Sequence, residues 1–204
     1  MGLYERHMLP LMTDWVMGQK MLRDYRLRVV GGARGRVLEL GVGSGRNLPF
    51  YTKAVDEVIG VDPTSEMLAM AERAAAALPR KITLLERSAE EVPLDDSSID
   101  TVVVTFSLCT IPDPHAAVAE ARRVLKPTGE LRFVEHGWSP DARVRKWQDR
   151  LTPLWTRCAG GCHLNRKMDD IVNGAGFEIA DLRTGYAAAL KPMAYLYEGS
   201  AHIR

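Results

Sequence analysis

The run Val37-Leu38-Glu39-Leu40-Gly41-Val42-Gly43-Ser44-Gly45 carries the strongest chemical signal in the sequence. Glycines spaced G-x-G-x-G after an apolar run suit a turn where a ligand approaches the backbone closely, at the carboxyl end of a parallel strand. A dinucleotide fingerprint would put its third glycine where Arg46 stands, which argues against a nicotinamide site. Glu39, just before the loop, offers a carboxylate to the cationic end of an amino acid and would repel a pyrophosphate. Asp62 follows Gly41 by 21 residues, at the end of a second apolar run. An acidic side chain there accepts hydrogen bonds from both hydroxyls of a ribose; the alternative is a turn aspartate before Pro63.

His136 directly follows the run Glu130–Glu135. A neutral imidazole at that sheet edge takes a proton from a thiol or an ammonium before attack, whereas a structural histidine would bond the backbone. Arg166 suits a carboxylate or phosphate, or else an ion pair at a helix start. Cys158-x3-Cys162-His163 has metal-binding residue types, but it lacks a fourth ligand and the usual spacing, so no metal centre is expected. Cys109 reads as a small buried hydrophobe.

These residues need a scaffold, and the pattern around them supplies one. Residues 3–30 read as one or two amphipathic helices, with Met8, Leu11, Met12, Trp15, Met21, Leu22 and Tyr25 at spacings of three and four, ended by Gly31-Gly32. Strands follow at 36–40, 57–61, 81–86, 100–105 and 130–135. Between them lie helices capped at Thr64 or Ser65 and at Asp113-Pro114. Strands alternating with helices imply a doubly wound, mostly parallel α/β sheet. The stretch 137–165 breaks the rhythm, with three tryptophans, two prolines, Gly160-Gly161 and no clean periodicity. A helix at 166–173 and strands at 177–184 and 193–199, read as an antiparallel edge hairpin, bring the sheet to seven strands.

ELGVGSGRN and VDPTSEML resemble the first two motifs of the class I S-adenosylmethionine-dependent methyltransferases. SAEEVPLDDSSIDTVVVTFSLC and RRVLKPTGELRFVEH are similar to that family's third to fifth strands. The resemblance covers roughly residues 36–136 and implies a Rossmann-like methyltransferase fold with S-adenosylmethionine as cofactor. It places Gly41, Gly43 and Gly45, with Glu39 and Asn47, at the methionine part and Asp62 at the ribose. Pro63 and Met67 flank the adenine, Ser88, Ala89 and Glu90 line its edge, and Thr105, Phe106 and Ser107 close the site beneath the sulfonium. Many relatives carry aspartate where Ser88 stands. EHGW at 135–138 and Gly161-Cys162-His163-Leu164-Asn165-Arg166 are similar to a branch with bacterial phospholipid N-methyltransferases and animal alkyl-thiol methyltransferases. One domain over 1–204 is expected: helices at 1–32, a cofactor core at 36–136, an acceptor cap at 137–168 and a closing helix and hairpin at 169–204. Tyr4, Trp15, Trp138, Trp147, Trp155 and Arg166 are the expected acceptor contacts.

Composition sets the outer bounds. A chain of 204 residues with 46% hydrophobic and 26% charged residues has the size and make-up of one soluble domain. Glu5 and Arg6 stand where a signal peptide has its apolar core, and three cysteines fit a reducing compartment, so a cytoplasmic location is expected. The net charge of +1 hides an asymmetry: residues 1–36 carry +4 and residues 137–168 carry +5, leaving −8 elsewhere. The two basic segments suit a lipophilic acceptor and peripheral contact with an anionic membrane, or simply a solvated basic face. Nucleic acid is not an expected partner, because the charge is modest and TFSLC stands where a catalytic Asn/Asp-Pro-Pro-aromatic motif would lie.

Overall fold

The computed structural model describes Tyr4 and residues 8–204. The Glu5-Arg6 reading and the start of the N-terminal amphipathic stretch lie outside the described residues.

Helix α1 (Leu9–Met17) and helix α2 (Arg23–Gly31) precede the sheet. Strand β1 (Gly35–Leu40) leads into the glycine loop, and β2 (Val55–Asp62) ends at the candidate ribose-binding residue. Helix α3 (Ser65–Ala75), β3 (Lys81–Glu86), β4 (Ile99–Thr105) and α4 (Pro114–Val124) continue the alternation. Strand β5 (Leu125–His136) is followed by α5 (Ala142–Cys158) and α6 (Met168–Gly174). Strand β6 (Phe177–Tyr186), a short helix α7 (Lys191–Ala194) and β7 (Tyr195–Ile203) close the chain. The seven strands lie in the order β3-β2-β1-β4-β5-β7-β6; β7 runs antiparallel between β5 and β6, and every other recorded pairing is parallel.

Alternation along β1 explains why both faces are covered. Leu38 and Leu40 join the cluster packed under α4 and α6, whereas Val37 joins the one under α2 and α3. Each buried aliphatic side chain contributes roughly 1.5–3 kcal/mol by leaving water. Strand β4 sits at the sheet centre, and six of its seven residues are buried. Asp113 caps α4, its Oδ1 accepting from the N–H groups of His115 and Ala116 at 3.0 Å. Lys126–Gly129 forms a bulge at the start of β5: Ile99 pairs with Leu125 and Thr101 already pairs with Glu130.

One expectation needs correction. The stretch after β5 is not irregular, because residues 142–158 form the 17-residue helix α5 with Pro153 inside it. Its inward row is Val144, Gln148 and Thr152, two of them polar, so it gives no apolar stripe to read. Gln148 is buried, accepting from Ser139 N–H at 3.0 Å and donating to the carbonyls of Gly137 and Pro192 at 2.9 and 3.0 Å. The apolar stripe of α1 faces outward. Leu11, Met12, Trp15 and Val16 are exposed, and Pro10 is the buried residue of that helix.

Candidate active site

The glycine loop is shaped by close approach. Gly41 has φ +71°, and a side chain there would meet the Ser107 hydroxyl at 2.3 Å, so β1 and the end of β4 touch through a bare backbone. Gly45, at φ +79°, would meet Leu48 and the Ala71 backbone in the same way. Asp62 braces the loop from β2. Its Oδ2 accepts from Gly43 N–H at 3.1 Å and its Oδ1 from Thr64 N–H at 2.9 Å. Burial raises its pKa against these two hydrogen bonds. Each oxygen keeps a further lone pair, so the carboxylate fits a ribose diol. Pro63 is exposed beside it, and buried Met67 reaches the loop, its methyl 3.3 Å from the position of a Cβ on Gly43. The backbone and donor set therefore suit the expected cofactor.

Glu39 lies deeper than its sequence position indicates. It shares with Val37 the face under α2 and is 1% exposed. Asn47 Nδ2 donates to its Oε1 at 2.8 Å and Tyr51 Oη to its Oε2 at 2.7 Å. Asn47 also donates to Thr105 Oγ1 at 2.8 Å and accepts from Arg26 Nε at 3.0 Å. Burial lifts the Glu39 pKa to about 7 against the pull of Tyr51, Asn47 and Arg26. Glu39 and Asn47 thus form a polar core beneath the loop. Tyr51 and Arg26, which complete it, went unread because neither belongs to a motif.

The far wall comes from β3 and β4. Ser88 Oγ donates to Glu90 Oε2 at 2.8 Å, and Glu90 Oε1 accepts from Asp113 N–H at 2.7 Å, with Ala89 buried between them. Phe106 sits at φ +54°, a conformation that costs a non-glycine residue about 1–3 kcal/mol and collects at functional sites. The Arg26 guanidinium lies 5.8 Å from its ring centre. Ser107 Oγ donates to the carbonyls of Gly41 and Thr105 at 3.3 and 3.1 Å. Buried Glu135 holds this turn, Oε1 accepting from the N–H groups of Ser107 and Leu108 at 2.6 and 3.0 Å, and burial raises its pKa to about 7.

His136 ends β5 as expected, but its ring meets a cysteine. Nε2 lies 3.0 Å from Cys162 Sγ, and Nδ1 is buried without a partner. Burial works against its protonation, yet the hydrogen bond with Cys162 and the Glu135 carboxylate raise its pKa, while Cys109 and burial push the Cys162 thiol up and keep it uncharged. Arg166 donates to the carbonyls of Leu108, Ile111 (2.6 Å) and Pro112 (3.4 Å), so it holds the loop after β4.

The aromatic residues separate into two groups. Trp15 and Trp147 are exposed, the latter under the Arg150 guanidinium. Trp138 stacks against Arg145 at 4.5 Å, Trp155 is half-buried with its Nε1 unpartnered, and Tyr4 Oη donates to the Cys158 carbonyl at 2.6 Å. Asp14 and Arg46 form a two-bond ion pair at 2.7 and 2.5 Å that ties α1 to the glycine loop.

Residues 38–133 match a family described as a methyltransferase domain. The chain is 36% identical over 152 residues to a thiol S-methyltransferase, TMT1B, of Rattus norvegicus, covering 72% of this chain and 61% of that one. It is 39% identical over 110 residues to a phosphatidylethanolamine N-methyltransferase of Cereibacter sphaeroides, covering 52% and 53%. The chain therefore spans less than two thirds of either relative. A crystal structure of a SAM-dependent methyltransferase from Methanosarcina mazei shares the fold, with a TM-score of 0.69 at 21% identity over 91% of this chain and 97% of that one.

Proposed function

We propose that the chain is an S-adenosylmethionine-dependent methyltransferase that methylates a lipophilic small molecule, with an alkyl thiol as the first choice of acceptor; the methyltransferase-domain match over residues 38–133 and the thiol S-methyltransferase relative support this reading. The cofactor supplies a methyl group on a sulfonium, whose displacement needs alignment and exclusion of water more than acid–base help. In this reading Asp62, the glycine loop and Met67 hold the cofactor while Phe106 and Ser107 form the wall beside it. The segment 137–168 and α1 cover the site as the acceptor cap. His136, engaged with Cys162, is left out of the proton transfer.

One observation carries the lipophilic character of the acceptor, and similarity to a thiol S-methyltransferase supports the thiol. Helix α1, clamped over the glycine loop through Asp14 and Arg46, turns Leu11, Met12, Trp15 and Val16 to the outside. Four apolar side chains on one short helix beside a cofactor loop favour an oily partner over water. Helix α5 adds exposed Trp147 and Leu154 among exposed Arg143, Lys146 and Arg150, a composition suited to an anionic membrane surface. Among the described residues no helix is long and apolar enough to cross a membrane. Similarity to a phospholipid N-methyltransferase supports a phospholipid amine as the second choice.

The test is methyl transfer from tritiated S-adenosylmethionine to aliphatic thiols, phosphatidylethanolamine and isoprenoid-quinone precursors. Turnover highest with long-chain thiols supports the reading; turnover confined to an amine or a quinone precursor replaces it. No turnover with any acceptor, despite cofactor binding, would leave a non-catalytic binder.

A further inference from the structure

Cys109, His136 and Cys162 are far apart in the chain and meet at one point. Cys109 lies in the loop after β4, His136 ends β5, and Cys162 follows α5. Their side-chain ligand atoms all lie within 4.8 Å of one another. Cys109 is buried, the other two are half-buried, and both cysteines are free thiols. His136 Nδ1 and Glu135 Oε2, both buried here, have no hydrogen-bond partner. Sequence spacing points instead to Cys158 and His163. Cys158, however, is exposed, and neither residue belongs to this cluster.

We propose that Cys109, His136 and Cys162 bind a borderline-soft divalent cation, with zinc the best match, and that the metal clips the segment after α5 onto the ends of β4 and β5. Two sulfurs and an imidazole nitrogen are the donor set that zinc prefers, and water completes the tetrahedron. Zinc–sulfur bonds of about 2.3 Å and zinc–nitrogen bonds of about 2.0 Å put ligand atoms roughly 3.5–3.8 Å apart in a tetrahedron. His136 Nε2 and Cys162 Sγ are 3.0 Å apart and no pair of the three exceeds 4.8 Å, so shifts of up to about 1 Å bring them to that arrangement. Charge also balances. Two thiolates cancel the dication, and Glu135 and Arg166 bring opposite charges to the cluster's surroundings. Binding releases two protons to solvent, one from each thiol.

Metal joins three chain segments that the polypeptide alone holds by packing, so it adds directly to the stability of the folded state. The test uses the full chain, purified with a reductant and without chelator. Elemental analysis is expected to find close to one equivalent of zinc. Removing the metal with a chelator should lower the melting temperature, and returning zinc should restore it. Cobalt(II) added to the metal-free protein should give thiolate-to-cobalt charge-transfer bands and the visible bands of tetrahedral cobalt. Cys109→Ser, Cys162→Ser and His136→Ala should each lose most of the metal, and Cys158→Ser should keep it. If a substituted chain fails to fold, the cobalt spectrum of the parent decides alone. A reduced parent that takes up neither zinc nor cobalt overturns the proposal. A Cys109–Cys162 disulfide formed in air, together with no metal uptake under reducing conditions, overturns it in favour of a redox pair.

Discussion

Gly43 and Asp62 are joined by a hydrogen bond from the glycine N–H to the aspartate Oδ2 at 3.1 Å, so the residue expected to hold the ribose also holds the loop beneath the methionine part. Asp62→Ala removes a charged acceptor from two cofactor hydroxyls and from that loop at once. S-adenosylmethionine affinity is expected to fall by about 2–4 kcal/mol, read by calorimetry. Asp62→Asn keeps one oxygen and should lose less. Unchanged affinity in the alanine variant would remove the ribose assignment.

Glu39 predicts a pH dependence of stability. Its pKa is about 7 in the folded protein against an ordinary value of 4.5, so between these values the folded chain binds more protons than the unfolded one. Its contribution is fully present below the ordinary value and is lost as pH rises through 7. Glu39→Gln cannot titrate, so urea unfolding between about pH 5 and pH 8 should show a shallower decline than the parent, by at most about 3 kcal/mol. Parallel curves would mean that Arg26 keeps the carboxylate ionised throughout.

Trp15 separates acceptor capture from folding. It is 69% exposed, so Trp15→Ser should change stability by no more than about 0.5 kcal/mol. It should raise KM several-fold for a long-chain thiol and leave a short-chain thiol unaffected. Equal KM changes for both would detach α1 from acceptor binding. Sedimentation with anionic vesicles should also weaken as salt is raised, because the basic face of α5 is screened.

Arg166 is expected to act on the fold. Arg166→Ala frees the carbonyls of Leu108, Ile111 and Pro112; one charged hydrogen bond of this kind is worth about 1.5–3 kcal/mol, and because Arg166 is half-buried water replaces much of the rest. A loss on the order of 2–3 kcal/mol in urea unfolding is expected, and Arg166→Lys should restore only part of it, because an ammonium lacks the planar fork. Full stability with a raised acceptor KM would return Arg166 to the substrate.

The sheet was legible because its strands are short apolar runs and its loops carry Gly, Asp and Pro at the turns. Apolar runs such as Thr101–Val104 report burial on both faces directly. Helix α5 was not legible, since its buried row runs through Gln148 and Thr152 and satisfies polar groups in place of making an apolar stripe. The candidate cofactor residues followed from local motifs. The meeting of Cys109, His136 and Cys162 did not, because topology, not spacing, brings them together. For α1 the periodicity marks a helix and leaves its direction open: a stripe of apolar residues does not say whether protein or something outside it covers that face.

The polar cluster under the glycine loop has a consequence for cutting the protein down. Arg26, on a helix ahead of the first strand, is 4% exposed and shares Asn47 with Glu39. A fragment starting at Gly35 would keep every recognisable motif and still strip α2 from the sheet face that holds Val37 and Glu39, taking Arg26 from the polar cluster and Val29 and Val30 from the apolar one. The boundary that motif matching would draw around this domain is therefore not one at which the chain can be divided. Shortened versions made for crystallisation or directed evolution should retain α2, or replace Glu39 and its partners together.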